Sequence, residues 1–130
     1  QQNEKMFEGI YQAFLRTYRN QATRKDTANY LSSVYAMYKP STYMRYLDSF
    51  LHMMDGTQFA SVVPINLSIY LLQCIERDFG VSALQQALLA EKQHIQYYYD
   101  VCGSASKGLR TALQALASQH VLQIDFSTPY

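Results

Sequence analysis

The chain has 130 residues, of which 48% are hydrophobic and only 16% charged, and its formal net charge is +1. That is one domain's length with apolar residues enough for one core, which excludes a disordered chain. The near-neutral balance excludes a polycation that coats nucleic acid, and five glycines, three prolines and two cysteines exclude a many-turned β-sandwich and a disulfide scaffold.

In chain order, Met6, Phe7, Ile10, Tyr11, Phe14, Leu15 and Tyr18 recur at helical spacing and predict a helix from about Asn3 to Gln21. Asp26 or Thr27 is expected to cap a second helix with Leu31, Val34, Tyr35 and Tyr38 inward. Pro40 stops it by barring helical geometry at Lys39. Ser41 is expected to cap a third helix, carrying Met44, Leu47, Leu51 and Met54 and ending at Asp55-Gly56. A connector follows, with Phe59, Val62 and Val63 as anchors. Helix four starts at Ile65-Asn66, turns Leu67, Tyr70, Leu71, Cys74 and Ile75 inward and ends at Gly80. Ser82-Ala83-Leu84-Gln85 resembles a capping box that opens helix five, lined by Leu84, Leu88, Ile95, Tyr98 and Val101 or Cys102 and closed by Gly103. Ser104 or Ser106 caps helix six, which runs to about Ser118 with Leu109, Leu113 and Leu116 inward. Val121 to Phe126, alternating in its second half, is expected as a strand. The expected fold is mostly α: a single domain, residues 1–130, forming a compact bundle of about six helices with a short C-terminal β-strand. The connector divides it into sub-units 1–56 and 65–130. Cys74 and Cys102 are expected as buried thiols.

Motifs of catalysis and metal binding are fragmentary. Glu91 and His94 stand at i,i+3, half of a di-iron carboxylate motif without its second copy, and are expected on a solvated charged face. Asp78-Phe79-Gly80 spells a kinase triplet without the other kinase signatures and reads as a helix end. Gly103 to Gly108 has Lys before Gly, against the order of a phosphate loop. His52, His94 and His120 lie on separate segments without ligand spacing. No enzyme activity, metal or cofactor is expected. The most apolar window, Val62 to Leu72, is broken by Pro64, Asn66 and Ser68 and falls short of the ~20 residues of a membrane span. No membrane partner and a cytoplasmic location are therefore expected.

From about 93 to 126 a helix, a Gly103-Ser104-Ala105 turn and a second helix with Leu109, Leu113 and Leu116 lead to Val121 and an alternating segment. This order resembles the core of the winged helix-turn-helix superfamily, with the second helix in the recognition position. The resemblance implies that Ser104, Ser106, Lys107, Arg110, Thr111 and Gln114 face a DNA groove or a partner, Lys and Arg meeting phosphates and Arg or Gln reading base edges. It also implies that Val121 pins the first wing strand to the core.

Residues 1–50 carry seven Lys/Arg against four acids; residues 51–130 carry four against six. The recognition-like helix therefore lies in the acidic half, away from the basic cluster Arg16, Arg19, Arg24 and Lys25, the best electrostatic footprint for a phosphate backbone or an acidic partner. Twelve tyrosines and five methionines exceed what one small core hides, and these residue types are enriched at interfaces. The leading expectation is a protein–protein interaction or assembly domain of a larger protein or complex, its partner another protein or a second copy. The alternative is a DNA-binding regulator using the helix at about 104–118.

Overall fold

A computed structural model describes residues 2–128 as six helices: α1 (Gln2–Tyr18), α2 (Arg24–Val34), α3 (Pro40–Asp55), α4 (Ile65–Phe79), α5 (Val81–Cys102) and α6 (Lys107–Gln119). α2 packs on α3, and α4, α3 and α6 pack around α5. α1 lies against α2, α3 and α4, so the two sides of the connector share one core. Its centre is aromatic: Tyr11 meets Phe50 edge-on with centroids 5.9 Å apart, and Phe14 meets Phe50 at 5.6 Å. The leucine stripes are buried as their spacing predicts: Leu67 and Leu71 on α4, Leu84 and Leu88 on α5, and Leu109, Leu113 and Leu116 on α6.

Three helix ends share one backbone motif. At Asn20, Gly56 and Val121 φ is 59°, 73° and 55°. In each case that residue and the next donate N–H groups back to the last turn: Asn20 to Thr17 and Gln21 to Arg16, Gly56 to Met53 and Thr57 to His52, Val121 to Ser118 and Leu122 to Ala117. This is a Schellman end, whose left-handed position favours Gly, then Asn. The β-branched Val121 is the strained member of the three. Gly80, at φ 95° and ψ 173°, joins α4 directly to α5 in a region open essentially to glycine alone.

Several expectations are corrected. α1 stops at Tyr18, because the Asn20 turn folds the chain back before Gln21. Thr23, not Asp26 or Thr27, caps α2, its hydroxyl accepting from the Asp26 N–H at 3.1 Å. α3 begins at Pro40, preset for a first helical turn, rather than after a Ser41 cap. α5 begins after Gly80 without a side-chain cap, ahead of the Ser82 box, and Ser106 precedes α6 in left-handed geometry without capping it. Val34 and Val62 are each half exposed: α2 ends at Val34, beyond reach of the core, and Phe59 and Val63 anchor the connector instead. Cys74 is buried but Cys102 is exposed, because the end of α5 runs past the bundle with Val101.

No strand occurs among the described residues. The segment after α6 is extended but has no neighbouring strand to complete a ladder. It lies along α6 and borrows that helix's side chains as partners. Val121 is 81% exposed and pins nothing; Ile124 and Phe126 are the buried anchors.

Candidate functional site

The basic cluster at the α1–α2 turn is dispersed by its own neighbours. Arg24 makes a two-point ion pair with Asp48 on α3, Nε and Nη2 each donating at 2.7 Å. The pair spans exposed side chains, so it orients α2 on α3 more than it stabilises the fold. The Arg16 guanidinium rests over the Tyr30 ring at 5.4 Å and that of Arg19 over Phe79 at 6.0 Å. Lys25 is exposed. Between this turn and the end of α3 lies an open hollow of about 770 Å³, lined in part by Tyr18, Gln21, Arg24, Leu51 and Asp55.

On α6 and the turn before it the recognition-like residues divide into two groups. Ser104, Lys107 and Thr111 are exposed and Ser106 is half-buried. Arg110 and Gln114 are turned onto the segment that follows the helix. Gln114 Nε2 donates to the Ile124 carbonyl at 3.1 Å, and Gln114 Oε1 accepts from the Phe126 N–H at 2.9 Å. Arg110 donates to the carbonyls of Ala105 at 2.7 Å, Phe126 at 3.2 Å and Ser127 at 2.7 Å.

A third surface belongs to no motif in the sequence. Tyr30 and Val34 stand one turn apart on the outer side of α2, and Met37 follows in the next turn; they are 47%, 50% and 60% exposed. Beside Tyr30 runs a shallow groove of about 240 Å³ between α1 and α2, lined by Gly9, Gln12, Ala13 and Arg16. At Gly9 the phenol end of Tyr35 lies where a Cβ would be, so a larger residue there would displace that ring. A smaller apolar pair, Tyr18 and Phe79, packs edge-on at 6.0 Å near the junction with α5.

Two polar clusters take their form from contacts between helices distant in the chain. At the α1–α4 contact Arg77 bridges Glu8 (3.0 Å) and Asp78 (2.9 Å), while Tyr70 donates to Glu8 at 2.6 Å and Tyr11 to Asp78 at 2.8 Å. Hydrogen bonds from Arg77 hold the Glu8 carboxyl down at about 2 and also hold Asp78 below its usual range. The Cys74 thiol, 3.7 Å from Glu8, is pushed up to about 12, chiefly by burial, so it is not a reactive thiolate. This cluster ties α1 to α4.

The second cluster overturns the solvated-face expectation for Glu91 and His94. Both are buried, at 1% and 2% exposure, because α5 is covered by α3, α4 and α6. His94 Nδ1 lies 2.8 Å from the Phe59 carbonyl, and its ring stacks on Phe59 with centroids 4.4 Å apart. Glu91 Oε2 has no hydrogen-bond partner, and burial raises this carboxyl to about 8. Glu91 is therefore a neutral acid at pH 7. Among the described residues no three His, Cys, Asp or Glu side chains are grouped to hold a metal ion, and no helix is long and apolar enough to cross a membrane. Comparison with protein-family models, curated proteins and solved structures finds no match for this chain.

Proposed function

We propose that this chain is a non-enzymatic protein-interaction or assembly module that docks an apolar surface of another protein, or of a second copy, against the outer side of α2. The exposure of Tyr30, Val34 and Met37 carries this reading. Large apolar side chains this open to water are satisfied by a partner that covers them, and Tyr and Met are favoured contact residues. The guanidinium of Arg16 over Tyr30 supplies a polar rim that would fix the partner's orientation. The enclosure of Glu91 and His94 favours binding over catalysis, since neither can reach a substrate from inside the core.

Light scattering and pull-down, applied to the wild type and to a Tyr30→Ser/Met37→Ser double variant, test the proposal. The wild type is expected to self-associate or to retain a partner. The double variant is expected to lose roughly tenfold or more in affinity, as for an interface anchor, with an unchanged helical circular-dichroism spectrum. A strict monomer that retains no partner would contradict the proposal. The DNA-reader alternative has exposed Lys107 and Thr111 in its favour, but it must do without Arg110 and Gln114 while they hold the following segment. Its mark is binding to a duplex that weakens steeply as salt rises, where an apolar protein interface responds little.

A further inference from the structure

The segment after α6 is bound the way a partner's extended peptide would be. Ile124 and Phe126, two residues apart, are buried at 7% and 2% exposure, and Asp125 between them faces out. Gln114 reads the main chain in both directions, and Arg110 clamps the next two carbonyls. A hollow of about 510 Å³ continues beside the seated segment, lined in part by Lys107, Thr111, Ala115 and Ser118. The groove on α6 is thus built for an extended apolar-x-apolar segment, and its present occupant is the chain's own.

The joint between groove and occupant is strained. Val121 holds a left-handed φ of 55° where the equivalent positions of α1 and α3 carry Asn20 and Gly56. A β-branched residue is a poor fit to that conformation. Simple release of the segment would relieve the strain but would expose Ile124 and Phe126 to water and give up four main-chain hydrogen bonds to Arg110 and Gln114. Exchange with a second copy relieves the strain and keeps the groove contacts of Ile124 to Ser127, giving up only the N–H bonds of Val121 and Leu122 to the end of α6.

We propose that two copies of this chain exchange the segment Leu122–Ser127, each seating Ile124 and Phe126 in the α6 groove of the other after opening at Val121. The groove contacts are identical within one copy and between two. Only the hinge and the entropy of association differ, which is the condition under which segments swap. This exchange is independent of the α2 surface.

Sedimentation velocity on the full chain over a concentration series tests it. The wild type is expected to form a dimer whose share grows with concentration. Glycine accepts φ near 55° without strain, so Val121→Gly favours the closed monomer and is expected to weaken dimerisation roughly tenfold or more. Gln114→Ala damages the groove and Phe126→Ala the segment equally in the closed monomer and in the exchanged dimer, so each variant alone is expected to keep the wild-type share of dimer. Mixing the two is expected to form the mixed dimer in excess of either homodimer, because only there does an intact groove receive an intact segment. If Val121→Gly dimerises like the wild type and mixing the two other variants gives no excess of mixed dimer, the copies meet elsewhere: the exchange is overturned and the α2 proposal stands. Wild type that remains monomeric at millimolar concentration also overturns it. Val121→Gly keeps the test readable if Phe126→Ala fails to fold, since it removes no core contact.

Discussion

Glu91→Gln is expected to abolish the loss of stability that the wild type shows on the alkaline side of neutrality. The carboxyl titrates near its ordinary 4.5 in the unfolded chain but at about 8 when folded. Between those values the folded chain holds a proton that the unfolded chain has released. Stability is therefore full below about 4.5 and declines with rising pH until about 8, by roughly 1.4 kcal/mol per unit. His94 acts in the opposite sense: burial depresses it below 6.5, so its contribution is lost as pH falls below 6.5. The two slopes oppose one another just below 6.5, which leaves Glu91 to dominate from 6.5 to about 8. Glutamine keeps the shape and has no proton to lose. Allowing for an amide buried in a site with no partner for Oε2, the variant is expected to gain roughly 2–4 kcal/mol over the wild type above pH 8. Urea unfolding at several pH values measures this. A wild-type curve that does not fall between pH 6.5 and 8 would show Glu91 to be paired or hydrated.

Phe50→Ala is expected to lower stability by about 3–5 kcal/mol, the ordinary cost of deleting a fully buried ring. Phe50 is 0% exposed and touches both Tyr11 and Phe14, so its loss opens a cavity where α3 meets α1. Neither ring can collapse into the space without leaving its own contacts. The urea midpoint falls while the far-ultraviolet spectrum stays helical. A loss below about 1 kcal/mol would mean that this cluster is not the centre of the core. Surface changes such as Tyr30→Ser should stay within about 0.5 kcal/mol, so stability and docking can be measured apart.

The elements legible in the sequence were those whose signals are local. Leu109, Leu113 and Leu116 announced both α6 and its buried face, and Gly56, Gly80 and Gly103 marked three helix ends. What the sequence hid depends on neighbours distant in the chain. Glu91 and His94 look like a charged stripe until three helices close around α5. Val121 to Phe126 alternates like a strand, but a strand needs a ladder partner, and this segment finds Gln114 and Arg110 instead. Arg110 and Gln114 were picked out for their chemistry, which is to donate and accept at a fixed span; the structure aims it at the chain's own main chain. Tyr30, Val34 and Met37 carried no motif. Only the early end of α2 reveals that Val34 turns away from the core.

Photochemical cross-linking tests the central claim, a protein-docking surface on the outer side of α2, most directly. Val34→p-benzoylphenylalanine places the reactive group within the exposed apolar set, and the same residue at the exposed position Gln73 on α4 serves as the reference. The predicted result is a covalent protein adduct, to a partner or to a second copy, from position 34 and not from position 73. Equal labelling from both positions, or adducts to nucleic acid alone, would contradict the claim.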